Sequence, residues 1–283
     1  VRLANDLLAH DIQSVVFART RRSVEIILTY LQETSERGSE SSKNRLGYSP
    51  VSNLYSSIRG YRSGYLPHQR REVEQGLRDG SVKTVVATNA LELGIDIGGL
   101  GAAILVGYPG TIASVRQQAG RAGRGDDPAV SVLVASPNPL DQFLAHHPEY
   151  FFGSSPEMAL VNPNHLLILL EHLRCAMFEL PFQKGAGFGS ISDELLDEYL
   201  EFLVANQDAH FSNEKYYWMK DQYPAANISL RSASPHSMVL QSVTEDGRPL
   251  TIGTVDGESA AWMVHPGAIY MHEGQQYFVQ EFN

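Results

Sequence analysis

Between residues 11 and 150 the chain repeats one pattern: a short strand-like run, a loop, then a stretch with helical spacing. The runs are Ser14–Ala18, Ser57–Gly60, Thr84–Thr88, Ala102–Val106 and Val130–Ala135, most of them apolar throughout. The helical stretches are 21–36, 67–78, 112–121 and 138–145, with Pro67 suited to a first turn. Strands that are apolar on both faces and separated by helices predict an α/β unit. Its sheet is mainly parallel and covered on both sides, with ligands at the carboxyl ends of the strands. The polar, serine-rich segment 37–50 is expected to be a mobile loop.

The pattern changes near Pro156. Helices are predicted over 164–179 and 192–206, the second capped by Ser192, followed by a short aromatic strand-like run at 211–219. Helix, helix, small hairpin is a winged-helix-like order. From 227 the chain is β-rich, with strands at 251–255, 268–271 and 276–280, and reads as part of a small β-barrel-like tail, cut short. The expected domains are 1–153, 154–224 and 225–283. A start in mid-helix at Val1 reads as the start of a fragment.

At 43% hydrophobic content, 283 residues can bury a large core. The single cysteine, Cys175, excludes a disulfide framework and a cysteine-based zinc site within the chain. It reads as a small buried hydrophobe in a reducing, cytoplasmic setting. The histidines at 146, 147, 165, 172, 265 and 272 show no metal-ligand spacing. No run is apolar enough to span a membrane, and the first residues lack signal-peptide character. The net charge is −10, but the first 150 residues are nearly balanced and the excess acid follows them. Any phosphate binding is therefore local to the first half.

Within that half stands QQAGRAGR (117–124), two arginines three residues apart, each preceded by glycine. If the helix continues through them, both guanidiniums share one face. Each is planar, permanently charged and suited to bidentate phosphate contact. Paired in this way they match the charge that develops on a transferring phosphoryl group. Read alone, the pair is better taken as surface ion-pair partners on a solvated helix.

The ordered segments VFART (16–20), YRSGYLPHQRREVE (61–74), VVATNALELGIDIGG (85–99) and QQAGRAGR (117–124) resemble the second RecA-like motor lobe of superfamily 2 helicases. YPGTIAS (108–114), PLDQFLAHHPEYFFG (139–153), HLRCAMFELPF (172–182) and VHPGAIYMHEGQQYFV (264–279) narrow the likeness. They resemble the MrfA/YprA-type (fungal RecQ4-like) DNA repair helicases over nearly the whole chain. The resemblance implies that Arg121 and Arg124 are arginine fingers reaching the γ-phosphate of ATP on another lobe. It implies that Gln117 contacts that lobe's acidic and phosphate-sensing residues, that Asp96 approaches the ribose, and that Gly94 lets the backbone come close. Thr88, Arg19 and Thr20 stand at strand ends as candidates to hold single-stranded DNA phosphates, with Arg62 and Gly64 extending that track. It further implies 3′→5′ movement on single-stranded DNA or a single/double-strand junction, in repair.

Plainer readings stand beside these. Asp96 could pair locally, and Thr88 could cap the turn that follows it. Arg70 and Arg71 alternate with acids as a solvated helix face, and Tyr216, Tyr217 and Trp218 read as hairpin core. Glu92 reads as structural or as lying at a lobe interface. The chain has no G-x-x-x-x-G-K-[ST] loop and no Asp-Glu box after a strand. ATP and Mg2+ are therefore expected to be held mainly by an N-terminal RecA-like lobe preceding Val1. The alternatives are an RNA helicase or remodelling motor of the same superfamily, or a non-catalytic interaction module.

Overall fold

The structure is a computed structural model that describes residues 1–282 apart from 44–56, 94–96, 98, 124–127, 163, 229–236 and 245. Two compact units divide the chain: Val1–Glu157 together with Ser237–Asn283, and Met158–His236.

The first unit is built on five strands: β1 (Ser14–Ala18), β2 (Ile58–Tyr61), β3 (Thr84–Ala87), β4 (Ala102–Val106) and β5 (Val130–Val134). They pair in the order β2-β3-β1-β4-β5, every pair parallel. Strands β1 and β3 are buried along their whole length, which is why their sequences are apolar without alternation. One face packs Val15, Phe17, Val85 and Leu105 against Val73, Leu77 and Val115 from the helices Pro67–Asp79 and Ile112–Ala119. The other packs Val16, Val86 and Ile104 against Val24, Leu28 and Leu31 of the helix that starts at Arg21. That helix runs to Lys43, so residues 37–43, expected in a loop, continue it; the rest of the expected loop lies outside the described residues.

The β-rich tail forms two antiparallel ladders. Strand β9 (Ser237–Val243) pairs with β10 (Pro249–Asp256), and β11 (Ile269–His272) pairs with β12 (Gln275–Phe278). A short helix, Gly257–Met263, joins them, and Ile252, Val255, Ala260, Val264 and Tyr270 form their own small core.

The second unit has helices Leu166–Glu179 and Asp193–Ala205 over a three-stranded sheet. Its strands are β6 (Phe182–Gln183), β7 (Ala209–Ser212) and β8 (Lys215–Trp218), in the order β6-β8-β7. The Ser192 hydroxyl accepts the Leu195 N–H at 3.4 Å and starts the second helix. Tyr216 is buried and Trp218 packs beside it, the core role read from the sequence. Asp208, 4% exposed, accepts hydrogen bonds from Arg174 and Lys220, which together hold its carboxyl below the usual range against the burial that pushes it up. The Cys175 thiol is half-buried and raised, by burial and then by Glu171 and Glu179, as suits an unreactive packing group.

No described helix is long and apolar enough to cross a membrane. Among the described residues no group of His, Cys, Asp and Glu could hold a metal ion.

Candidate nucleic-acid interface

The parallel sheet brings the ends of β1, β3 and β4 to one edge. Arg19 and Thr20, at the end of β1, are exposed. Thr20 caps the next helix, its Oγ1 accepting the Ser23 N–H at 3.0 Å. Thr88 follows β3 and is nearly buried. Its Oγ1 accepts the Ala90 N–H at 3.4 Å and its own N–H donates to Tyr61 O at 3.2 Å. The capping role weighed for Thr88 is thus present.

Beyond Thr88 a single 3-10 turn, Asn89–Leu91, carries the chain to Glu92. Glu92 is 7% exposed and its two carboxylate oxygens are taken separately. Oε1 accepts from Ser114 Oγ at 2.9 Å, and Oε2 accepts from Gln118 Nε2 at 3.0 Å. Ser114 and Gln118 are one helical turn apart on the same face of Ile112–Ala119. The backbone carbonyl of Glu92 accepts from Arg121, through Nε at 3.2 Å and through Nη2. Glu92, Ser114 and Gln118 line a pocket of about 300 Å³ with Arg19, Asn89 and the backbone of Gly107, at the carboxyl ends of β1, β3 and β4.

The helix Ile112–Ala119 is fixed at both ends. At its start Thr111 accepts the Ser114 N–H at 3.0 Å, and Glu157 accepts the Ile112 and Ala113 N–H groups at 2.7 and 3.1 Å. Those backbone donors hold the Glu157 carboxyl below its usual range, as expected for an anion on a helix N-terminus. At its other end the helix stops at Ala119, with Gly120 as C-cap, although the sequence reading carried it to Arg121. Ala122 bridges to Leu100 instead, and Gly123 adopts φ +87°. The premise that the two arginines share a helical face is therefore corrected: Arg121 lies in a turn beyond the helix, 6% exposed. Gln117 is exposed on the last helical turn. Arg124, Gly94 and Asp96 lie outside the described residues.

Arg62 and Gly64 are engaged within the chain. The Arg62 side chain is 1% exposed, and its Nε donates to Glu25 Oε1 at 2.6 Å, itself 1% exposed. Nη2 donates to Met271 O at 2.8 Å and to the Tyr270 hydroxyl at 3.3 Å, and the guanidinium stacks over the Tyr65 ring. Glu25 also accepts from Tyr65 Oη at 3.0 Å and from the Gly274 N–H at 2.9 Å. The Gly64 carbonyl accepts the Thr254 N–H at 3.1 Å, and a Cβ on Gly253 would stand 2.5 Å from it. The second glycine is there because β10 lies directly on the loop. Residues 62–64, expected to extend the phosphate track, hold the β-rich tail against the parallel sheet.

His272 lies in this seam, 3% exposed, with neither ring nitrogen hydrogen-bonded. Burial and then the nearby Arg62 charge lower its pKa, against Glu273 and Glu25. A folded value below the unfolded one means the unfolded chain takes up the extra proton. Stability is then complete above about pH 6.5 and falls as pH drops towards the folded value. The urea midpoint is expected to decrease between about pH 7 and about pH 5.5. His272→Phe, which removes both nitrogens, should flatten that part of the profile; an unchanged slope would discharge His272 from it.

Glu92, Ser114, Gln118 and Glu157 were not singled out as site residues from the sequence. The available signal was spacing: Ser114 and Gln118 are i and i+4 on a helix and adjoin the arginine motif.

The family described as helicase conserved C-terminal domain matches residues 2–126, and the winged helix domain of ATP-dependent helicase HRQ1 matches residues 161–233. The chain is 45% identical to the ATP-dependent helicase YprA of Bacillus subtilis over 99% of its own length and 35% of that protein. It is 32% identical to the ATP-dependent helicase HRQ1 of Saccharomyces cerevisiae over 98% of its length and 25% of that protein. It thus spans about a third or less of these curated relatives. Among solved structures, the DUF1998 helicase MrfA bound to DNA and AMPPNP superposes with a TM-score of 0.76 at 45% identity, covering 98% of this chain and 36% of that one.

Proposed function

Since this chain joins the C-terminal motor lobe of a superfamily 2 helicase, of the MrfA/YprA type, to an HRQ1-type winged helix domain, we propose that it forms half of an ATP-driven, DNA-translocating motor. The observation that carries this reading is the placement of Thr88 and Arg121 at either end of one short, hydrogen-bonded stretch centred on Glu92. A strand-end hydroxyl suited to a DNA phosphate is thereby joined to an arginine suited to a nucleotide phosphate.

The residues present fit one wall of a nucleotide site and not the whole of it. Gln117, Arg121 and Arg124 bring donors and positive charge. Nothing in the sequence matches the phosphate loop or the Asp-Glu box that hold ATP and Mg2+, and those belong to the N-terminal RecA-like lobe in this proposal. When bound, the metal neutralises phosphate charge there. In this chain Arg121 and Arg124 approach the γ-phosphate as the lobes close, and withdraw when they open. Arg19, Thr20 and Thr88 keep hold of one DNA strand through its phosphates. The winged helix domain stands near a duplex junction, and the motor moves 3′→5′ in DNA repair.

Two expectations follow. The chain by itself hydrolyses no ATP, whereas the protein with both lobes shows ATPase stimulated by single-stranded DNA more than by RNA. Stimulation by RNA alone would move the reading to an RNA motor, and measurable ATPase from the chain alone would overturn the half-site account. Arg19→Ala should weaken binding to single-stranded DNA and lower the slope of log K against log salt by about 0.7, the contribution of one phosphate contact on a single strand. An unchanged slope would remove Arg19 from the track.

A further inference from the structure

Glu92 is a buried residue of the turn that leaves β3, and its carboxylate bonds to the helix Ile112–Ala119. Its own N–H donates to Asn89 O at 2.9 Å, closing the turn that begins at Thr88, and Leu91 N donates to Thr88 O at 3.4 Å. Only this single turn separates Thr88 from Glu92, so the two cannot shift independently without breaking those bonds. From Glu92 the contacts fan out to that helix and the turn beyond it: Ser114 on Oε1, Gln118 on Oε2, and Arg121 on the main-chain carbonyl. Ser114 and Gln118 sit a turn apart, so two bonds to one carboxylate fix both the position and the rotation of the helix. Rotation matters because Gln117, next to Gln118, faces outward from the same last turn. Glu157 holds the opposite end of the helix, which leaves Glu92 to set the end that leads to Arg121.

We propose that Glu92 is a positioning residue that locks the Thr88 turn to the helix Ile112–Ala119, so that a displacement of the DNA strand at Thr88 is carried to Gln117 and Arg121 as one movement. Glu92 touches neither ligand. It acts through the hydrogen bonds that make two elements a single part, which is the physical requirement for coupling two sites. The inference rests on the motor reading above and adds to it the group that transmits between its two surfaces.

The test uses the protein with both lobes, and reads kcat and KM for ATP with and without an oligo-dT strand, together with the oligo-dT Kd. Glu92→Ala should lower the DNA-stimulated kcat by about tenfold or more, with KM and Kd within about threefold, because the loss falls on turnover and not on binding either ligand. Glu92→Gln should restore most of that kcat. A carboxamide of the same shape can accept from Gln118 and donate to Ser114 Oγ. A Glu92→Ala protein with full DNA stimulation overturns the proposal, as does one in which KM or Kd rises in step with the fall in kcat. If Glu92→Ala does not fold, Ser114→Ala with Gln118→Leu cuts the same two bonds from the helix side. That pair must give the same selective loss of kcat, and full stimulation in it overturns the proposal equally. A wild-type protein with no DNA stimulation sinks the motor reading and this inference together; wild-type stimulation that survives in the variants sinks the inference alone.

Discussion

Arg62→Ala is expected to destabilise the chain by on the order of 3–5 kcal/mol, the usual consequence of removing one partner from a buried ion pair. The reason is what remains. Glu25, 1% exposed, keeps the Tyr65 hydroxyl and the Gly274 N–H as donors but loses the guanidinium that pairs with it. Met271 O and the Tyr270 hydroxyl lose their donor in the same step. For a unit of this size, that loss is roughly 6–20 °C in Tm. Arg62→Lys should recover little, because one ammonium cannot reach Glu25, Tyr270 and Met271 in the directions the planar guanidinium serves. Thermal and urea unfolding of the chain measure the effect. Binding of single-stranded DNA by the folded fraction separates the two readings of this residue: a structural Arg62 leaves it unchanged, while a tenfold loss of affinity with normal stability would restore Arg62 to the phosphate track.

Arg124→Ala, in the protein with both lobes, is expected to abolish nearly all ATP turnover. An arginine finger contributes on the order of 10³–10⁵ in rate, or about 4–7 kcal/mol of transition-state stabilisation. DNA affinity should stay within about threefold, since the finger meets charge that develops on the phosphoryl group and not on the strand. Arg121→Ala makes an informative partner. Its guanidinium bonds the Glu92 carbonyl, so its removal loosens the turn as well as the phosphate contact. The Arg121 variant should therefore lose some stability as well as turnover. An Arg124 variant that loses DNA binding and ATPase in equal measure would remove the finger assignment.

The parallel sheet was legible because fully buried strands and amphipathic helices leave different periods, and Ser14–Ala18, Thr84–Ala87 and Ala102–Val106 carry no polar alternation to confuse them. The end of the helix at Ala119 was not. Gly120 and Gly123 are compatible with a helix that continues and with one that stops, and the bridge from Ala122 to Leu100 decides between them. The part Arg62 plays in the fold was hidden for a related reason. A lone arginine in a strand-to-helix loop looks available for phosphate, and its burial depends on Tyr270, Met271 and Gly274, more than 200 residues further along. Glu92 carried a weak signal, since only the folded chain brings Ser114 and Gln118 to its two oxygens. Local pattern thus recorded the scaffold, whereas the ends of elements and the fate of single charges were set by distant partners.

The pairing of Glu25 and Arg62 with residues 270–274 also bears on the order in which the molecule can be made. The unit that holds this pair is discontinuous in sequence, with Met158–His236 between its two parts. A ribosome releases Glu25 and Arg62 long before the Tyr270 hydroxyl, the Met271 carbonyl and the Gly274 N–H exist to receive them. During that interval a carboxylate and a guanidinium destined for the interior must stay hydrated, so the seam beside the parallel sheet can close only late. The intervening unit has a core of its own and is free to fold first. Strands β11 and β12, synthesised long after the parallel sheet, are then what convert a provisional sheet into a finished one, and contacts this distant along the chain make that closing step slow.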